Sequence, residues 1–113
     1  MIELKDGMLL FHGSYTAIPD INLAACNRGL DFGQGFYLTS SYEQACSYVP
    51  LAVKKAKRLG RLSADFAIED GQVSIFKFHY DPNRLEAQFC FRTMDAVKSL
   101  EFIRGDRYGD IKK

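Results

Sequence analysis

Two tyrosines, Tyr37 and Tyr48, stand eleven positions apart around the hydroxyl run Thr39-Ser40-Ser41. Upstream, Gly33-Gln34-Gly35 forms a loop that lets backbone approach a ligand closely, because glycine has no Cβ and accepts positive φ. The loop feeds a short apolar strand, Phe36-Tyr37-Leu38-Thr39, and a helix starting at Ser40 or Ser41 carries Tyr48. Tyrosines on a strand and on the helix that follows make a two-walled aromatic slot. Such faces hold a flat cationic ring by offset stacking and cation–π attraction, on the order of 1–2 kcal/mol per desolvated face. Two further groups could act on what the slot holds. His12-Gly13-Ser14 closes an apolar run, and Glu86-x-Gln88 places a polar pair on a late strand.

The elements that must position these residues are marked unevenly. Met8 to Ser14 is an apolar run of strand length ended by Gly13, consistent with a strand buried on both faces, and places His12 at its exit. Tyr15 to Leu30 lacks a strong period and reads as a connecting loop with a helical turn. Ser40-x-x-Glu43 and Ser41-x-x-Gln44 are capping boxes in adjacent registers, so the start of the helix is the best-marked boundary in the chain. Pro50 lacks the N–H that would bond back to Cys46, which predicts a kink or a second helix from Pro50 to Leu59 with Gly60 at its end. The cluster Lys54, Lys55, Lys57, Arg58 and Arg61 reads as a solvated helix face near the favourable end of the dipole. Asp65 to Glu69 and Gln72 to Tyr80, joined by Asp70-Gly71, predict a β-hairpin. Glu86 to Arg92 reads as another strand, Thr93 caps a short helix from Met94 to Leu100, and Phe102-Ile103 closes the sheet.

Composition excludes several classes. The 113 residues make a single domain, 1–113, and 15 basic against 14 acidic residues give no global field for nucleic acid or membrane. Any partner is therefore recognised locally. Cys26, Cys46 and Cys90 are odd in number and widely spaced, without nearby histidine ligands, so neither a disulfide framework nor a zinc site is expected. The absence of a signal-like start and of a long apolar run predicts a cytoplasmic protein in a reducing compartment. A lone histidine after an apolar run is ordinarily a hydrogen-bonded structural residue; the spacing to Tyr37 and Tyr48 is what singles out His12. His79 and the cysteines read as structural.

Together, His12-Gly13 at a strand end, Tyr37 on a strand, Tyr48 on the next helix and the late polar pair resemble the ADP-ribosyltransferase fold. The likeness is to its His-Tyr-Glu branch, which includes diphtheria-type toxins and poly-ADP-ribose polymerases. It is closest to a bacterial family of uncharacterised proteins in that clan, dense over Leu10 to Tyr48 and thin from Gln88 to Leu100. The resemblance implies an α+β fold, a split antiparallel sheet with helices flanking an NAD cleft. It implies that His12 bonds the adenosine-side ribose, that the Gly13 backbone holds the nicotinamide amide, and that Tyr37 and Tyr48 sandwich the ring. Ser14 and Gly35 complete the implied cofactor set. NAD would be the co-substrate, ADP-ribose the group transferred, a macromolecule the acceptor, and an antitoxin protein a partner if the chain is a bacterial toxin. The alternatives are a degenerate NAD-binding or regulatory module and simple NAD hydrolysis.

The late pair departs from its relatives. Arginine-modifying toxins carry Gln-x-Glu or Glu-x-Glu, whereas here the resemblance implies that Gln88 falls at the catalytic glutamate position. A carboxylate facing the oxocarbenium-like centre formed as the ring leaves contributes charge that an amide cannot, and losing one such interaction costs on the order of 3 kcal/mol, about a hundredfold in rate. The natural chain is thus expected to turn NAD over weakly and Gln88→Glu to raise the rate. Steady-state NAD consumption checks this; lost turnover in Glu86→Ala with no gain in Gln88→Glu would assign the carboxylate role to Glu86.

Overall fold

The two overlapping capping signals resolve onto Ser41. The computed structural model describes residues 5–19, 36–79, 90–91 and 97–111, with side chains except at 36–37 and 90–91; Gly33, Gly35, Glu86 and Gln88 lie outside the described residues. A 17-residue helix, α1 (Tyr42–Arg58), begins after Ser41, whose side chain accepts the Gln44 N–H at 3.2 Å. Gln44 does not return the bond as a reciprocal capping box would; the Ser41 N–H goes to Thr39 Oγ1 at 3.1 Å. The far end closes as the glycine foretells. Gly60 takes φ +74°, its N–H bonds the Lys57 carbonyl, and the Arg61 N–H reaches back to Ala56, the two bonds of a Schellman motif.

Pro50 lies inside α1, and no second helix starts there. A proline in a helix interior costs about 3 kcal/mol. Val49 and Val53 flank it and are fully buried, with Ala45, Cys46 and Ala56 on the same stripe. At about 1.5–3 kcal/mol for each fully buried valine, packing outweighs the lost hydrogen bond.

Beneath α1 lies a three-stranded antiparallel sheet in the order β1-β3-β5: β1 (Leu9–Ser14), β3 (Gln72–Phe78) and β5 (Leu100–Arg107). A two-stranded antiparallel pair joins β2 (Phe36–Tyr37) to β4 (Cys90–Phe91). The isolated bridge Phe11↔Thr39 connects the stretch after β2 to β1. A four-residue helix, α2 (Tyr108–Ile111), follows β5 directly. The chain is an α+β protein.

Asp65 to Glu69 is not a hairpin arm: residues Ile68–Asp70 form a 3₁₀ turn and Gly71 is extended, at φ −65°. A tight Asp-Gly hairpin turn needs positive φ at the glycine. The physical reason is that β3 is already paired on both edges, by β1 and β5, and has no ladder left for a sequence neighbour. His12 lies within β1 and not at its exit, because Gly13 and Ser14 continue the ladder opposite Val73 and Gln72. Residues 92–96 lie outside the described set, but Leu100 is already strand, so the last helix stops short of it. β5 is longer than its Phe102-Ile103 signal because Leu100 and Phe102 pair with Phe78 and Phe76. The Phe76 and Phe102 rings meet edge-on at 5.6 Å.

Each face of the sheet carries a core. Leu10, Leu38, Phe76 and Phe78 form one, with Leu100 and Phe102 against it. Val73 and the buried stripe of α1 form the other, with Phe11 and Tyr42 at its margin. Tyr42 ties this layer to β5: its hydroxyl donates to Asp106 Oδ2 at 2.7 Å, and its ring meets Phe11 edge-on at 5.2 Å. Burial raises the Tyr42 phenol above its ordinary value near 10, and the bond to the Asp106 carboxylate raises it further. The stability this contributes is fully present below pH ~10 and is lost as pH rises beyond it, because only the unfolded phenol then ionises freely. Denaturant midpoints followed through and above pH ~10 should therefore fall more steeply for the natural chain than for Tyr42→Phe. Parallel slopes would remove Tyr42 from the alkaline limb.

Candidate functional site

Gly13 governs how closely α1 approaches β1. A Cβ built at Gly13 would overlap the carbonyl oxygen of Ala45 and lie 3.3 Å from the Tyr48 Cβ. Any side chain here would force the helix off the strand. The contact also sets Tyr48 beside the His12-Gly13 backbone, so residues 35 positions apart in sequence become neighbours.

A groove of about 530 Å³ opens along this seam. Its floor is the edge of β1 at Phe11, His12 and Gly13; one wall is Leu38 to Ser41 and the other is α1. The helical wall is Gln44, Tyr48, Leu51, Ala52 and Lys55, a stripe at three- and four-residue spacing beside the buried one. Tyr48 is 44% and Leu51 60% exposed. His12 is half-buried. Among the described residues the lining carries one cation, Lys55, and no carboxylate, so its local field favours anionic groups.

The strand edge also presents backbone groups to the groove. Phe11 bonds Thr39 through its N–H at 2.8 Å and its carbonyl at 2.9 Å, both directed away from β3. Residues two apart on a strand turn their polar groups the same way, so the Gly13 N–H and C=O also face outward along the groove. An adjacent donor and acceptor match a primary amide, as a neighbouring strand would.

The candidate residues divide into three sets. His12, Gly13 and Tyr48 are brought together in the groove. Ser14, buried at 8% exposure, does not line it. The Tyr37 backbone pairs with that of Cys90. Gly35, Glu86 and Gln88 lie outside the described residues.

Sequence reasoning missed three groove residues in this role. In the sequence Thr39 reads only as the end of a strand, Gln44 only as a capping signal and Lys55 only as surface charge. The spacing 44, 48, 51, 55 held the clue, since it continues one face of α1 through Tyr48. Among the described residues no group of three or more His, Cys, Asp or Glu could hold a metal, and no helix is long and apolar enough to cross a membrane.

The sequence that builds the groove falls within a family match. Residues 8–84 match the family described as "Protein of unknown function (DUF3990)", and the chain belongs to that family. No curated protein and no solved structure matches the chain. The matched span covers β1, β2, α1 and β3, hence all the groove described above.

The contact at Gly13 can be tested directly. Because the obstructing atom is backbone, Gly13→Ala cannot be absorbed by a rotamer change, and overpacking of this kind typically costs about 1–3 kcal/mol or more. Chemical denaturation should show at least that loss, whereas a stability within ~0.5 kcal/mol of the natural chain would mean that α1 can shift away freely.

Proposed function

We propose that this groove binds NAD and that the chain transfers ADP-ribose from it to a macromolecular acceptor, on an ADP-ribosyltransferase-like scaffold. The observation carrying this reading is the meeting of the His12-Gly13 strand edge with the exposed ring of Tyr48 in one groove. These are residues to which the sequence resemblance assigns the cofactor. In this reading the outward N–H and C=O of Gly13 take the nicotinamide carboxamide, Tyr48 offers one aromatic face and Tyr37 the other. His12 bonds the adenosine-side ribose, and Lys55 adds a favourable field for a diphosphate.

The chemistry then asks little covalent work of the protein. The bond from ribose C1′ to the pyridinium nitrogen breaks, its electron pair neutralises the departing ring, and an acceptor nucleophile adds at C1′ and gives up a proton. Positive charge develops at C1′, and no described groove residue supplies a carboxylate against it. That role falls to Glu86 or Gln88, and the choice between them separates an active transferase from a module that holds NAD without cleaving it. A toxin role, with an antitoxin as partner, and a cytoplasmic location belong to the same proposal.

Isothermal titration with NAD tests the reading at its base. The natural chain should bind, and Tyr48→Ala should weaken binding by roughly 1–3 kcal/mol. Tyr48 is too exposed for its truncation to open a core cavity, so stability should hardly move. His12→Ala should weaken NAD equally whichever acceptor is offered. Heat-silent titrations with no NAD protection against thermal unfolding would sink the proposal; binding without turnover or label transfer would leave the NAD-binding module as the correct reading.

A further inference from the structure

Tyr48 enters the groove with its phenolic oxygen already engaged. Gln44, one turn earlier on α1, donates its Nε2–H to the Tyr48 hydroxyl oxygen at 2.9 Å. The Gln44 Oε1 accepts the Thr39 hydroxyl proton, also at 2.9 Å, and Thr39 Oγ1 accepts the Ser41 N–H at 3.1 Å. The Ser41 N–H leaves the Thr39 hydroxyl proton free to pass on to Gln44, and the Gln44 amide, with Oε1 toward Thr39 and Nε2 toward Tyr48, gives the run its direction, from Ser41 to Thr39 to Gln44 to Tyr48. Tyr48 is the receiving end. Its oxygen accepts from Gln44, and its own proton has no acceptor among the described residues.

From this polarity we infer that Tyr48 is a hydrogen-bond donor as well as an aromatic wall: Gln44 turns its hydroxyl so that the proton is presented to a ribose or phosphate oxygen of the bound dinucleotide. The inference rests on the NAD reading of the groove and names which part of the ligand the hydroxyl recognises. The carboxamide is matched elsewhere, by the Gly13 N–H and C=O, and Gly13 lies against the Tyr48 Cβ, at the base of the side chain. The hydroxyl is at the opposite end of the ring. An acceptor there belongs to the sugar-phosphate attached to the stacked ring and not to the ring's own amide. Gln44 touches no ligand atom in this account and is a positioning residue. Its hold on the phenol comes from the same bonds that start α1, so the cap and the recognition of ligand share one network.

The experiment compares NAD, nicotinamide riboside and free nicotinamide, titrated by calorimetry into the natural chain, Tyr48→Phe, Gln44→Glu and the double variant. Tyr48→Phe keeps the ring and removes the proton, and should weaken NAD by about three- to tenfold while leaving nicotinamide unchanged. A parallel loss with the riboside identifies a ribose oxygen; a loss confined to NAD identifies a phosphate oxygen. Gln44→Glu keeps the shape but replaces the amide donor by an acceptor, which draws the Tyr48 proton back toward itself. It should weaken NAD in the Tyr48 background and by less once Tyr48→Phe is present, a coupling that a purely structural role of Gln44 would not produce. Should Gln44→Glu fail to fold, Tyr48→Phe against the three ligands decides alone. Natural-chain affinity for NAD in Tyr48→Phe, or an equal loss for nicotinamide, overturns the inference while leaving NAD binding intact. Failure of the natural chain to bind NAD overturns the groove assignment itself and this inference with it.

Discussion

The close approach of α1 to β1 at Gly13 is the constraint on which the rest of the structure depends. With no Cβ in the way, the Ala45 carbonyl sits over the strand, and the buried stripe Ala45, Cys46, Val49, Val53 can reach Val73 across the sheet. The same approach fixes the width of the groove. Its helical wall is the stripe of α1 next to the buried one, so any shift of the helix would move Tyr48 with it. Core packing and site geometry are therefore one variable, and the groove is as rigid as the interface behind it.

Within that frame the polar chemistry is concentrated at the start of α1. Ser41 and Thr39 satisfy backbone donors that a helix start would otherwise leave open, and Gln44 extends their bonds to the phenol of Tyr48. At the other end, the Schellman turn at Gly60 and the basic residues of the last turn close the helix without reaching the groove, except at Lys55. The division has a physical basis: a helix N-terminus has unpaired donors and draws hydroxyls and amides, whereas its C-terminus draws cations.

What could be read from the sequence was local. Ser41 and Gly60 announce the ends of α1 because capping is decided within four residues, and Met8 to Ser14 announces β1 because its apolar run needs no partner to be recognised. The Asp70-Gly71 hairpin failed because its outcome depended on distant segments: residues 9–14 and 100–107 occupy both edges of β3. Pro50 misled for a related reason, since local propensity opposed a helix that long-range burial of Val49 and Val53 sustains. At the site, His12 and Tyr48 were legible by residue type, but Gln44 was not, because its bonds to Thr39 and Tyr48 matter only once Tyr48 lines a groove.

The single Phe11↔Thr39 bridge has a consequence for how the chain behaves among its own copies. β1 is a sheet edge, and a bare edge of this kind recruits strands from neighbouring molecules. Thr39 occupies the Phe11 position on that edge, and α1 stands over it at Gly13, so an incoming strand meets an obstruction after one pair. A short stretch of outward-facing backbone remains, long enough for an amide-sized group and too short to seed a ladder.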